Sequence, residues 1–140
     1  MQRRSFLLAA TAALSTGRLL AQAESGIVVV GHAALPRIEA ALVQRLYTGR
    51  AIEAGGQLAT VLNLRSGHPL RQRFLAAYLQ TDEERYRAYW TVRRHVGKGA
   101  PPREVDGVTE MLDLVVRTPG AMGYVDLRDV PAGTNIICRI

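Results

Sequence analysis

Arg65, Ser66, Gly67 and His68, followed six residues on from the first arginine by Arg71, are the side chains whose types and spacing could do chemistry. They lie in the stretch Asn-Leu-Arg-Ser-Gly-His-Pro-Leu-Arg-Gln-Arg-Phe, residues 63–74, where a turn runs directly into an amphipathic helical pattern. A helix start carries unpaired N–H groups and a partial positive charge, so it favours anions and disfavours cations. Two arginines flanking such a start either hold an anion or are solvated charges. In the first reading the Ser66 hydroxyl and the N–H groups of Gly67 and His68 face an oxyanion, Arg65 adds a bidentate contact and Arg71 a second charge. In the second, Ser66 caps the helix, which stabilises it by about 1 kcal/mol, and the arginines face water. Pro69 suits either, because an N–H at that position has no helical partner.

Other chemistries find less support. Beyond residue 23 the serines are Ser25 and Ser66, neither framed by a nucleophile elbow, and Ser66 and His68 are two apart in a turn. That spacing does not aim an imidazole at a hydroxyl, so no catalysis is expected. His32, His68, His95 and Cys138 are scattered without the close pairs of metal ligands, so neither metal nor cofactor is expected. Arg93-Arg94-His95, with Arg85 and Arg87, follows the acidic Asp82-Glu83-Glu84 and reads as a solvated helix face rather than a nucleic-acid surface. Tyr86, Tyr89 and Trp90 fall at helical spacing, which fits a core better than a base-stacking platform.

The first residues set the compartment. Met1 to Arg4 form a positive start, Phe6 to Leu14 an apolar run, and Ala21-Gln22-Ala23 a small-x-small cleavage pattern. Residues 1–23 therefore read as a signal peptide, with Arg3-Arg4 compatible with twin-arginine export, and the expected location is the periplasm. Removing Arg3, Arg4 and Arg18 lowers 18 basic residues to 15 against 12 acidic, so the net charge falls from +6 to +3. What remains, 24–140, reads as a single domain long enough to bury a core. Cys138 is the sole cysteine and has no partner for an intrachain disulfide.

The elements that must position the turn alternate in type. Residues 26–32 form a β-branched apolar run and 57–64 a second strand pattern. Between them Pro36 opens a helix carrying Ile38, Ala41, Leu42 and Leu46 on one face. After the turn, Leu70, Phe74, Ala77 and Tyr78 share a helical face. Thr81-Asp82-Glu83-Glu84 then reads as a capping box for the next helix, and Pro101-Pro102 as a stiff connection. Val108, Met111, Leu112, Val115 and Val116 have the cleanest helical period, which predicts that Leu112 packs on the sheet. Thr118-Pro119-Gly120 stops that helix, and 121–125 and 134–139 complete the strands. Helices between strands predict an α/β domain with a small, mostly parallel or mixed sheet flanked by helices. Ligands in such folds meet the carboxyl ends of strands, where Asn63 to Gly67 lies.

Taken in order, Tyr47-Thr48-Gly49-Arg50, Asn63 to Phe74, Tyr89-Trp90, Gly97-Lys98-Gly99-Ala100-Pro101-Pro102 and Thr118 to Val125 resemble the phosphate-type periplasmic substrate-binding proteins of ABC transporters. The resemblance covers most of residues 26–127. It implies the type 2 periplasmic-binding fold, reduced in length to one lobe, with phosphate as ligand and an ABC transporter permease or another periplasmic protein as partner. Arg65, Ser66 and Gly67 match the family's phosphate-contacting turn, and Arg71 matches a helix arginine of small relatives. The family's Ser-Gly-Thr is reduced here to Ser-Gly-His. The expectation is a non-catalytic module that binds an oxyanion weakly at Arg65, Ser66, Gly67, His68 and Arg71. An accessory or protein-interaction domain that has lost its ligand is the alternative, and a homodimer that rebuilds the cleft is a third reading.

Overall fold

The computed structural model describes residues 26–140, so the signal peptide expected over 1–23 lies outside the described residues. The chain forms β1 (Ile27–Gly31), α1 (Ala40–Tyr47), a hairpin of β2 (Glu53–Ala54) and β3 (Gln57–Leu58), then β4 (Thr60–Leu64) and α2 (Pro69–Leu79). There follow α3 (Glu83–His95), β5 (Arg103–Val105), α4 (Val108–Arg117), β6 (Ala121–Asp126), a 3-10 turn at Leu127–Asp129 and β7 (Asn135–Arg139). Five strands make one sheet in the order β5-β4-β6-β1-β7. It is mixed: β4 runs parallel to β5 and β6, while β1 is antiparallel to β6 and β7.

Both faces of the sheet are covered, which is why β1 and β6 are buried at every position rather than alternating. Successive residues of β6 show which helix takes which face. The Tyr124 ring stacks on Phe74 of α2 and lies 6.1 Å from Tyr47 of α1. Its neighbour Gly123 has no side chain because Met111 of α4 fills that space, with Sδ 2.6 Å from where a Cβ would stand. Thus α1 and α2 cover one face and α4 the other. The phenols of this core reach the backbone: Tyr47 donates to Leu62 O, Tyr78 to Ile27 O and Tyr86 to Tyr47 O. No helix among the described residues is long and apolar enough to cross a membrane.

Several expectations shift. The first helix starts at Ala40, because Pro36 to Glu39 stay extended and Ile38 N donates to Ile137 O of β7. Its buried residues are Val43, Leu46 and Tyr47, while Ala41 is exposed. The strand expected over 57–64 breaks at Ala59, which turns to donate to Ile52 O, leaving Leu58 exposed on the small hairpin. Gly120 packs against this break with φ +77, its Cβ position 2.3 Å from Leu58 O, so a side chain fits neither the conformation nor the space. In α4 the buried residues are Met111 and Val115; Leu112 is only half-buried and Val116 is exposed. The α3 cap is Asp82, whose carboxylate accepts from Arg85 N, so Thr81 is not the capping residue. After Pro101-Pro102 comes a strand, β5, rather than a plain connection.

Candidate functional site

The turn 65–68 leaves the carboxyl end of β4, and two contacts fix where it leaves. β4 is paired with β6 at Thr60–Ala121 and Val61–Met122. Further along, the Tyr124 hydroxyl accepts from Leu64 N at 3.2 Å and donates to Asn63 Oδ1 at 2.5 Å. A side chain there replaces a rung of the ladder, and burial pushes its phenol well above the usual tyrosine range. On the other side Arg65 N donates to Val105 O of β5 at 2.9 Å.

His68 N, expected to face an oxyanion, instead closes the turn on Arg65 O at 3.1 Å, with Gly67 at φ +86. A left-handed residue at this point favours glycine. His68, not Ser66, caps α2: its Nδ1 accepts from Leu70 N at 3.1 Å. In a neutral ring an accepting Nδ1 leaves the proton on Nε2, so His68 presents an N–H donor to its surroundings. Pro69 occupies the first helical turn. None of the hydrogen bonds of the turn uses the amides of Ser66 or Gly67.

Arg71 is the buried charge of the site, 3% exposed. Its Nε donates to Glu83 Oε2 and its Nη2 to Glu83 Oε1, both at 2.8 Å. Its Nη1 donates to Glu104 Oε1 at 2.8 Å and to Leu64 O at 2.9 Å. The Tyr86 ring lies 5.6 Å from the guanidinium carbon. Burial works against the charge, but the hydrogen bonds to Glu104 and Glu83 more than reverse this and raise the guanidinium above its ordinary range. Ser66 joins the same carboxylate, its Oγ donating to Glu83 Oε1 at 2.5 Å.

The five residues singled out in the sequence therefore divide. Ser66 and Arg71 converge on Glu83, from the first turn of α3. Gly67 and His68 form the turn and the cap. Arg65 is exposed, and its side chain makes no hydrogen bond or ion pair among the described residues. Sequence reasoning missed Glu83 and Glu104. The first reads locally as an acid that suits a helix N-terminus, and Glu104 sits in a three-residue strand without a period. Nothing local signals that both meet an arginine 12 and 33 residues away.

This arrangement can be compared with known proteins. No family model and no curated protein matches the sequence. Among solved structures, an ABC-type phosphate transport receptor from Vibrio cholerae matches 80% of the chain with a TM-score of 0.62 and 19% identity. The chain has the fold of part of such a receptor. A putative phosphate ABC transporter substrate-binding protein from Clostridium perfringens, solved with bound phosphate, matches 81% with a TM-score of 0.56 and 17% identity. The chain spans less than half of either structure, 45% and 46%. The fold expected from the sequence, an α/β unit resembling one lobe, is thus the one observed, with the sheet mixed.

Proposed function

We propose that this chain is a periplasmic, phosphate-type binding module that holds an inorganic oxyanion at the start of α2 and carries out no catalysis. One observation carries the reading. The turn presents, at a helix N-terminus, two amides not used by its own hydrogen bonds, the Nε2–H of His68 and the exposed Arg65. Ser66 and Arg71 stand beside them, with their donors engaged by Glu83, Glu104 and Leu64 O. The shared fold with two phosphate-related receptors, one with phosphate bound, supports this ligand class. The export leader read in residues 1–23 supports the location, with 24–140 as the mature domain. An ABC transporter permease or another periplasmic protein is the corresponding partner.

A turn open on one side to water holds an anion less strongly than a closed cleft, because solvent screens the charges. A Kd near a millimolar, about −4 kcal/mol, fits that geometry. Phosphate at ten times Kd then stabilises the fold by RT ln 11, about 1.4 kcal/mol. Thermal melting with phosphate, against chloride at matched ionic strength, tests this; the absence of a phosphate-specific shift defeats it.

The second reading is an accessory domain that has lost its ligand. Glu83 favours it, because an internal carboxylate already takes the Ser66 hydroxyl and the Arg71 fork. A homodimer that closes the cleft from two chains keeps ligand binding, and sedimentation with and without phosphate separates it from both.

A further inference from the structure

The donors at the start of α2 have an occupant built into the chain. Glu83 Oε1 takes both the Ser66 hydroxyl, at 2.5 Å, and Arg71 Nη2, at 2.8 Å, while Oε2 takes Arg71 Nε, at 2.8 Å. Two oxygens on a guanidinium fork, with a hydroxyl on one of them, are the contacts an external oxyanion would make with the same two residues. We propose that Glu83 is an internal competitor for this seat: its carboxylate closes the Ser66–Arg71 pair, and an external oxyanion gains the pair only by displacing it. This inference rests on the turn being an oxyanion site.

Three features make the displacement workable. Arg71 retains Glu104 and Leu64 O when Glu83 leaves, so its buried charge is never orphaned. The start of α3 does not depend on Glu83, because Asp82 caps it through Arg85 N at 2.9 Å. The Glu83 side chain is 22% exposed against 3% for Arg71, so the carboxylate can turn to water while the guanidinium stays. Two anions do not share one fork, because like charges at contact distance repel. The seat therefore has two states around one fixed arginine: closed on Glu83, or open to a ligand with the Glu83 carboxylate turned to water and the start of α3 still capped by Asp82.

Titration with inorganic phosphate of the full chain and of its Glu83→Gln and Ser66→Ala/Glu83→Gln variants tests this. Calorimetry reads affinity, and the backbone amide resonances of Glu83, Glu84 and Arg85 read departure of the neighbouring Glu83 carboxylate from Arg71. Glutamine keeps the size of the side chain but not its charge. Glu83→Gln is expected to bind phosphate about tenfold tighter, the gain is expected to vanish in the double variant, and phosphate should shift the three amides in the unaltered protein. Glu83→Asp, which keeps the charge on a shorter arm, should fall between the two and serves if the glutamine variant fails to fold. If the unaltered protein binds phosphate while Glu83→Gln binds no better and the amides stay still, Glu83 is a structural ion pair and the oxyanion site stands. If Glu83→Gln alone binds, the competitor role stands and weak binding by the unaltered protein falls. Binding by neither overturns both.

Discussion

The rings of Phe74 and Tyr124 lie 3.9 Å apart and within 1° of parallel. This pair joins α2 to β6 and so sets the height of α2 above the sheet. The helix that carries Arg71 is thereby fixed to the strand whose tyrosine holds Leu64 and Asn63. Phe74→Ala should cost about 3–5 kcal/mol, as loss of a buried aromatic does. Denaturant melts check this, and a loss below about 1 kcal/mol would show that the stack does not hold the helix. Tyr124→Phe keeps the ring but leaves Asn63 Oδ1 and Leu64 N without their partner, at about 1–3 kcal/mol.

Arg71 and Arg65 should behave oppositely. Arg71→Leu leaves Glu83 and Glu104 facing each other without their common partner, at about 2–4 kcal/mol, reduced from a fully buried case because both carboxylates reach solvent. Arg65→Ala should change stability by less than about 0.5 kcal/mol while removing the phosphate-dependent gain. Chemical denaturation with and without phosphate separates the two roles.

Acid should act through Asp126. Hydrogen bonds from the Arg128 side chain and backbone, with Arg73 adding another, hold this carboxyl well below the usual carboxylate range. A depressed folded pKa means that the unfolded chain binds the proton first. The stabilisation is then present above about pH 4, where the unfolded carboxyl ionises, and drains away as pH falls further. Asp126→Asn should flatten the acid limb of the stability curve by about one proton's slope. Equal slopes below pH 4 would show that Asp126 is not the group responsible.

On the far face, Met111→Ala should cost about 2–5 kcal/mol and Leu112→Ala clearly less, since Met111 is fully buried and Leu112 half-buried. Gly123→Ala drives a methyl into Met111 Sδ and should cost about 1–3 kcal/mol by overpacking. Thermal melts of the three variants rank them, and a Leu112 loss equal to that of Met111 would contradict the helix rotation.

The parts that could be read in the sequence are those with a local physical signature. A continuous β-branched run marks β1, a 3.6-residue period marks α4, and Pro69 after a Ser-Gly-His turn marks the start of α2. The period places Met111 and Leu112 together on the inner side of α4; both are apolar, and only Gly123 on β6 decides that Met111 is fully buried while Leu112 packs at the edge of the core. β5 has three residues and gains its strand form from pairing with Leu62, Asn63 and Leu64, a contact with no trace in its own composition. The same holds at the site. Arg71 stood out as a cation at a disfavoured position, but the carboxylates that answer it arrive from α3 and β5.

The pairing of β1 bears on when the fold can assemble. Ile27 stands opposite Asp126, and the other neighbour of β1, β7, lies later still. The sheet's most apolar strand therefore emerges first from the ribosome and finds its hydrogen-bond partners only after nearly all of the described chain has been synthesised. Such long loop closures slow folding, and an unpaired apolar strand invites aggregation meanwhile. Until β6 and β7 have been made, β1 therefore has no hydrogen-bond partner in its own sheet.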